Sequence, residues 1–113
     1  MSCIFCKILS GEAPATIIHR DDLVTAFRDI HPIARTHILI IPNRHIASVN
    51  ALEAGDEALV GHMVMLAKEL AAKEGVAENG YRLMINTGVH GGQTIPHLHL
   101  HLIAGKLARF LVG

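Results

Sequence analysis

The sequence predicts an α+β fold, in which an antiparallel sheet packs against one long helix. Short apolar or β-branched segments recur with polar turns between them, and one long segment has helical periodicity. Neither a linker nor an internal repeat divides the 113 residues. Half of the residues are hydrophobic, which suffices for a core of ordinary size. We therefore expect a single domain that covers residues 1–113.

The N-terminal third is predicted to contain a short helix and three strands. Gly11 ends the helix, because glycine is favoured just after a helix C-terminus. The polar segment 20–22 is a turn between the first two strands, and Pro42 ends the third, a β-branched and buried strand. In order, the four elements are residues 4–10, 15–19, 23–28 and 37–41.

The long helix is predicted to run from Gly55 or Asp56 to Lys73. Acidic residues near its start and lysines near its end suit the helix dipole. Its main apolar stripe contains Leu59, Met63, Leu66, Ala67 and Leu70. A second stripe, Val60, Val64 and Ala71, is explained equally well by a partner surface or by burial on two sides.

Two further strands are predicted, at 81–86 and 98–103, and the last carries the most informative pattern. His97, His99 and His101 alternate with leucines, so the three imidazoles should share one face while the leucines enter the core. Imidazole suits metal binding, proton transfer and nucleophilic attack near neutral pH. A solvent-facing strand would explain one such histidine but explains three poorly.

The composition argues against two classes of partner. Ten basic and ten acidic residues leave no positive excess to hold a nucleic-acid backbone. No apolar segment approaches the roughly 20 residues that span a bilayer, and the first residues lack the features of a signal peptide. We therefore expect no nucleic-acid partner, no membrane association and a cytoplasmic location. In that compartment the pair Cys3 and Cys6 indicates a metal or redox role more than a structural disulfide.

The segment from His97 to Ile103 resembles the signature of the histidine triad (HIT) family, His-φ-His-φ-His-φ-φ with φ apolar, at every position. Two upstream blocks, 29–32 and 36–42, and His45 resemble the Hint-like branch of that family. Asn86-Thr87-Gly88 and Gly91–Thr94 resemble the turn before its triad. The resemblance extends from Cys3 to about Gly113 and includes bacterial, zinc-containing members.

This resemblance implies a five-stranded antiparallel sheet with one long and one short helix. It also implies a homodimer, in which the long helix and an edge strand join two sheets into one of ten strands. The implied activity is hydrolysis of purine nucleoside phosphoramidates, with an AMP- or GMP-type nucleotide as ligand. Two alternatives remain open: a dinucleoside polyphosphate hydrolase, and a nucleotide-binding regulatory module with incidental hydrolysis.

The resemblance also implies roles for single histidines. His99 would attack the α-phosphorus and form a nucleotidyl-histidine, which water then hydrolyses. A backbone carbonyl in the triad region would orient the ring of His99. His101 would donate to an α-phosphate oxygen, and His37 would lie close to these two as a further catalytic or supporting group.

The nucleotide itself would be bound by residues that precede the triad. The implied phosphate contacts are Asn86, the Thr94 hydroxyl and the backbone amides of Gly92, Gln93 and Thr94. Asp29 would bind the ribose hydroxyls, although a turn-forming aspartate explains the same residue. The residues implied around the base are Ile4, Phe5, Phe27, Ile30 and Leu39, each of which could instead be plain core. Thr94 replaces a serine and Phe110 a tryptophan of many Hint proteins, so leaving-group preference is open.

A structural zinc site is expected from four residues. Cys3 and Cys6, with His45 and His97 far downstream, supply two thiolates and two imidazoles, a set suited to tetrahedral zinc. The resemblance supports this assignment over a redox pair. Zinc here would anchor the N-terminus to the last strand. We expect Cys3→Ser to lower metal content and stability while largely preserving the chemistry of each folded molecule.

Overall fold

The computed structural model describes residues 3–105, and its elements follow the predicted α+β order. The helices are α1 (Ile4–Ser10) and α2 (Glu57–Lys73). Two short 3-10 helices, Val49–Ala51 and Ala54–Asp56, lead into α2. The five strands are β1 (Ile17–Arg20), β2 (Val24–Arg28), β3 (Thr36–Pro42), β4 (Arg82–Met84) and β5 (Leu100–Ala104).

All strands pair antiparallel in one sheet with the order β1-β2-β3-β5-β4. The last strand in sequence is therefore inserted between β3 and β4. His101 on β5 pairs with Leu39 on one side and with Met84 on the other. The strand that follows the first two triad histidines is thus held on both sides, while β4 lies at an edge.

The core lies on both faces of the sheet, and β3 shows this most clearly. On one face, Ile38 and Ile40 pack with the buried side chains of α2, which we call the α2-side core. On the other face, Leu39 and Ile41 pack with Phe5 and Ile8 of α1, which we call the α1-side core. Because side chains alternate between faces along a strand, β3 is covered on both sides. The prediction of a buried central strand is confirmed, since every residue of β3 is buried.

The main apolar stripe of α2 is buried, as predicted, but the second stripe is buried at one residue and exposed at another. Ala71 is fully buried, whereas Val64 on the outer face is 43% exposed. Burial on two sides therefore explains Ala71, and Val64 remains available to a partner. No helix within residues 3–105 is long and apolar enough to cross a membrane.

The two C-terminal strands differ from the predicted segments 81–86 and 98–103. β4 is shorter at both ends, and β5 begins two residues later and ends one residue later. β4 has only three residues, and β5 begins at Leu100. Leu98 N–H donates to Ile46 O at 2.7 Å, outside the sheet ladder. The chain leaves the sheet there: the His97 ring faces the N-terminal cysteines, and the pairing of β4 with β5 ends at Met84 and His101.

Candidate active site and metal centre

The three triad histidines lie in the predicted alternation, although only His101 belongs to a regular strand. The leucines that alternate with them, Leu98, Leu100 and Leu102, lie in the α2-side core. His97 and His99 are buried on the opposite side, and His101 is half-buried. The rings of His99 and His101 are neighbours, with centroids 4.9 Å apart. The ring of His97 is directed away from them, towards the cysteines.

His99 is fixed by its own segment of main chain. Its Nδ1 lies 2.7 Å from the carbonyl oxygen of His97. A carbonyl can only accept, so Nδ1 carries the proton and Nε2 keeps a free lone pair. The prediction that a backbone carbonyl of the triad region orients this ring is confirmed. The resulting tautomer is the one a nucleophilic imidazole needs.

A chain of hydrogen bonds likewise sets the tautomer of His101. The Ile33 N–H donates to His37 Nδ1 at 3.2 Å, so the proton of the neutral His37 ring is on Nε2. His37 Nε2 lies 2.9 Å from His101 Nδ1 and donates to it. The proton of His101 must then be on Nε2, where it is a donor.

Burial keeps this chain of imidazoles neutral. Desolvation lowers the pKa of His37. Desolvation also lowers the pKa of His101, and the neighbouring His99 and His37 lower it further, to about 4. The carboxylate of Asp29 opposes both shifts, because its Oδ2 lies 3.4 Å from His37 Nε2. Near neutral pH both rings are therefore uncharged, as the hydrogen-bond chain requires.

Asp29 forms the local turn that was weighed against a role in ribose binding. Its Oδ1 accepts from the His31 N–H at 2.8 Å, which is a local turn. Its backbone N–H donates to His37 O at 2.9 Å. The turn thus holds the carboxylate beside His37 and His101, at the rim of the site.

The turn before the triad is tied together by side-chain amides. Asn86 Nδ2 donates to Gly91 O at 2.6 Å, and Gln93 Oε1 accepts from the Gly88 N–H at 3.0 Å. Gln93 Nε2 also donates to Ala47 O and Ile95 O. Gly91 admits no side chain, because a Cβ there would lie 2.2 Å from Thr87 O.

Two backbone amides implied as phosphate donors are engaged elsewhere. The Gly92 N–H donates to Val89 O at 3.1 Å, and the Gln93 N–H donates to Gly88 O at 3.0 Å. Both bonds belong to the turn itself, so these amides shape it, contrary to the expectation that they face a phosphate. Thr94 is exposed beside the turn.

The residues implied around the base fall into two groups. Phe5, Phe27 and Leu39 are buried in the α1-side core, and the two phenyl rings meet edge to face at 5.4 Å. Ile4 and Ile30 are exposed, by 47% and 82%. The first group can form only the floor of a binding site, while the second group can flank a ligand.

Four side chains converge into a cluster that could hold a metal ion, as predicted. The ligand atoms of Cys3, Cys6, His45 and His97 all lie within 4.8 Å of one another. His97 Nδ1 is 3.4 Å from Cys3 Sγ and 3.7 Å from Cys6 Sγ. His45 Nδ1 is 3.3 Å from Cys6 Sγ. Bonds of zinc length in a tetrahedron give S···N separations of about 3.5 Å, so the donor set fits zinc.

The chemistry of these donors also fits a cation. Both cysteines are free thiols, and burial, with Cys3 beside it, raises the pKa of Cys6. A cation between the two sulfurs would offset this penalty and favour both thiolates. Burial lowers the pKa of His97, which keeps its ring neutral and able to coordinate. His97 Nε2 donates to Pro42 O at 3.0 Å, which leaves Nδ1 for the metal.

A second group, Asp29, His37 and His101, brings donor atoms equally close but is not suited to a metal. The Ile33 N–H bond places the proton of His37 on Nε2, the atom that would have to coordinate. The geometry is that of a proton-ordered hydrogen-bond chain.

Sequence reasoning missed three contacts. One is the Ile33 amide, and another is the Phe5 ring, whose centroid lies 5.2 Å from that of His99. The third is Asp21, whose Oδ2 accepts from both His19 Nε2 and His62 Nε2 at 2.7 Å. Only the first of these two bonds is local in sequence, so no spacing rule could reveal the second.

Known proteins resemble this chain in sequence and in overall fold. The family model of the HIT domain matches residues 10–107. The purine nucleoside phosphoramidase of Escherichia coli K12 is 53% identical over 103 residues, which are 91% of this chain and 87% of that protein. The crystal structure of a HIT family hydrolase from Legionella pneumophila has a TM-score of 0.93 and 46% identity, and covers 99% of this chain and 100% of that one. A histidine triad protein from Clostridium difficile also gives 0.93, with 38% identity and coverage of 99% and 97%.

Proposed function

The chain belongs to the HIT domain family, and we propose that it is a purine nucleoside phosphoramidase that acts through a covalent intermediate on His99. Its relatives are hydrolases, and one of them is named a purine nucleoside phosphoramidase. The substrate is a purine nucleoside monophosphate whose α-phosphorus carries an amine. The products are the nucleoside monophosphate and the free amine.

One observation carries the proposal, namely the pair of opposite tautomers on neighbouring rings. His99 donates from Nδ1 to a carbonyl and so has a lone pair on Nε2. His101 accepts on Nδ1 and so has a proton on Nε2. A nucleophile and a donor side by side are what attack on a phosphorus that carries negative oxygens requires.

The reaction then has two steps. The Nε2 lone pair of His99 forms a bond to phosphorus while the P–N bond breaks, and the amine leaves with a proton from solvent. Water next attacks the same phosphorus, the bond to His99 breaks, and the nucleoside monophosphate is released. His101 donates to a phosphoryl oxygen in both steps, and His37 holds the tautomer of His101.

The remaining nucleotide contacts follow from exposure and position. Asp29 at the rim accepts from the ribose hydroxyls. Thr94 provides the hydroxyl for the phosphate side, while Asn86 shapes the turn, as Gly92 and Gln93 do. Ile4 and Ile30 flank the base above a floor formed by buried aromatic and aliphatic side chains, which are Phe5, Phe27 and Leu39.

Zinc is the metal we propose for the cluster of Cys3, Cys6, His45 and His97. Four protein ligands complete a tetrahedron, so a bound zinc stabilises the fold and has no open position for substrate. A thiolate pair of this kind is maintained in a reducing compartment, so we propose a cytoplasmic location. A homodimer through α2 and the edge strand β4 completes the proposal.

The test is substrate turnover with matched variants. Wild type, His99→Ala and the exposed-histidine control His90→Ala are incubated with adenosine 5′-phosphoramidate, diadenosine tetraphosphate and a uridylyl sugar. We expect AMP release from the first substrate, a loss of about a thousandfold or more in His99→Ala, and full activity in His90→Ala. Preferred cleavage of the tetraphosphate would favour a dinucleoside polyphosphate hydrolase. Binding of AMP without turnover of any substrate would favour a regulatory module and refute the proposed activity.

A further inference from the structure

The imidazole of His97 is restrained at both of its nitrogens. On one side Nδ1 faces Cys3 Sγ at 3.4 Å and Cys6 Sγ at 3.7 Å. On the other side Nε2 donates to Pro42 O at 3.0 Å. The side chain is fully buried. With a metal bound by the cysteines, the ring can neither rotate nor shift without breaking one of these interactions.

The main chain of the same residue holds the nucleophile. The carbonyl oxygen of His97 accepts from His99 Nδ1 at 2.7 Å. The flanking amides are also engaged, because His97 N–H donates to Ile95 O at 2.8 Å and Leu98 N–H donates to Ile46 O at 2.7 Å. Because the ring and this carbonyl belong to one residue, a displacement of the His97 ring tilts the acceptor that fixes the tautomer of His99, between two main-chain anchors that stay in place.

A second connection runs through α1. Cys3 Sγ accepts from the Cys6 N–H at 3.4 Å, which caps the first turn of this helix. Phe5 follows on the buried side, with its ring centroid 5.2 Å from that of His99 and 5.7 Å from that of His97. The cysteine pair thus locates an aromatic ring against the nucleophile.

We propose that the metal cluster positions the nucleophile: metal-bound His97 holds the ring orientation and the Nδ1–H tautomer of His99 through its main-chain carbonyl. This role rests on the proposed function of His99. It goes beyond structural stabilisation, and it revises the expectation that loss of a metal ligand leaves the chemistry of each folded molecule largely unchanged. His97 is a positioning residue in this account.

The positioning role predicts a particular kinetic change. Without metal the carbonyl of His97 relaxes, the ring of His99 samples other tautomers and orientations, and fewer molecules are poised for attack. The rim contact to the ribose, Asp29, is held by its own turn, so substrate binding changes little. Loss of groups that orient an active-site ligand typically costs tenfold to a hundredfold, so kcat should fall by about tenfold or more.

The experiment compares the zinc-loaded protein, the same protein after chelation, and the chelated protein after zinc is restored. The kinetic readouts are kcat and KM for adenosine 5′-phosphoramidate, referred to the folded fraction. The independent readout is the pair of imidazole ¹⁵N signals of His99, which distinguish an Nδ1–H from an Nε2–H ring. We expect loss of the single Nδ1–H tautomer and of kcat on chelation, KM within about twofold, and recovery of both with zinc.

Met63→Ala is the matched control for stability. Met63 is 1% exposed in the α2-side core, on the opposite face of the sheet from the cluster. Its truncation should lower Tm but leave the ¹⁵N signals of His99 and the kcat of folded molecules unchanged. A similar loss of kcat in this variant would show that lowered stability alone accounts for the effect, and would overturn the proposal.

Each other outcome is also decisive. A folded metal-free protein with unchanged kcat and unchanged His99 signals overturns the positioning role. If chelation unfolds the chain, zinc- and cadmium-loaded proteins are compared instead, since the larger ion has longer bonds to His97. Different kcat values and His99 signals then support the proposal, and identical ones overturn it. If the loaded wild type releases no AMP, the proposed function fails, while the His99 signals still test the inference.

Discussion

His37 Nε2 lies 2.9 Å from His101 Nδ1, and this bond is directed by a backbone amide four residues before His37. The Ile33 N–H occupies the only other nitrogen of the His37 ring, so the ring must donate from Nε2. A donor on His101 therefore depends on the position of a loop that need not contact the ligand.

Replacing His37 tests this dependence. In His37→Phe the ring volume is kept but His101 Nδ1 loses its donor, so the Nε2–H tautomer is no longer enforced. We expect kcat to fall by roughly tenfold to a hundredfold with KM changed by less than about twofold. Steady-state kinetics with the phosphoramidate measure both. His37→Gln, whose amide can donate to His101, should recover part of the loss, whereas wild-type activity in His37→Phe would refute the relay.

The depressed pKa of His101 predicts how stability depends on pH. Burial, and then the neighbouring His99 and His37, lower this pKa from 6.5 to about 4. Between these values the unfolded chain binds more protons than the folded one, so the free energy of unfolding falls as the pH decreases from about 6.5 to about 4. We expect His101 to contribute a loss of about 1 kcal/mol by pH 5, allowing for its partial exposure.

Urea unfolding at about pH 7, 6 and 5, at constant ionic strength, measures this dependence. The comparison variant is His101→Gln, which cannot titrate and should show a shallower decline over the same interval. Asp56 and Glu74, whose pKa values are lowered by Arg44 and Arg28, titrate in a lower range. Equal slopes for the variant and the wild type would contradict the prediction.

The parts of the site that could be predicted from sequence are those that depend on local periodicity. The alternation of His97, His99 and His101 with leucines needs only the geometry of an extended chain, and it holds even where the regular strand has not yet begun. Helix α2 was likewise predictable, because its stripe repeats within one segment. Of the metal ligands, Cys3 and Cys6 could be predicted because they are the only two cysteines, whereas His45 and His97 had to be selected from nine histidines with the help of the family resemblance.

The remaining contacts depend on which elements become neighbours. The insertion of β5 between β3 and β4 brings His37 to His101, 64 positions away. Residue types alone likewise could not reveal that the Gly92 and Gln93 amides would be used within their own turn. Such bonds follow from the folded path of the chain, which periodicity does not determine.

Asp21 joins α2 to the turn between β1 and β2, and its loss should cost stability without affecting catalysis. Burial raises the pKa of Asp21, but bonds from His19, His62 and two backbone amides outweigh it and hold the pKa well below its ordinary value. The carboxylate therefore stabilises the fold above the ordinary carboxyl pKa, and this contribution is lost as the pH falls through the lower, folded value.

We expect Asp21→Asn to lower the free energy of unfolding by about 1 kcal/mol at neutral pH, since the side chains are partly exposed. Urea denaturation measures the change, and kcat should stay within about twofold of wild type. The exposed neighbour provides the control, because Asp22→Asn should change neither quantity. A loss of kcat in Asp21→Asn would mean that the turn communicates with the triad.

Gly91 should be intolerant of any side chain. A Cβ at this position would lie 2.2 Å from Thr87 O and 2.9 Å from Thr87 N, both in the backbone, so the turn before the triad would have to open. We expect Gly91→Ala to lower kcat/KM by about tenfold or more, because Thr94 would be displaced. The control is Val89→Ala in the same turn, where the side chain is 90% exposed. Unchanged kinetics in Gly91→Ala would show that the turn does not position the phosphate contacts.

The outer face of α2 and the edge strand β4 should form the interface of a homodimer. Val64 and Met65 are 43% and 55% exposed on the side of α2 that faces away from the core, and β4 ends the order of strands. Pairing of two β4 strands would extend the sheet across both chains, and apolar side chains of two α2 helices would cover each other. We expect gel filtration with light scattering to give twice the chain mass of 12.2 kDa.

The double variant Val64→Glu and Met65→Lys should elute as a monomer, while Ala15→Lys, an exposed apolar-to-charged change on another surface, should remain dimeric. A monomeric wild type at micromolar concentration would contradict the shared sheet, and a dimeric double variant would place the interface elsewhere.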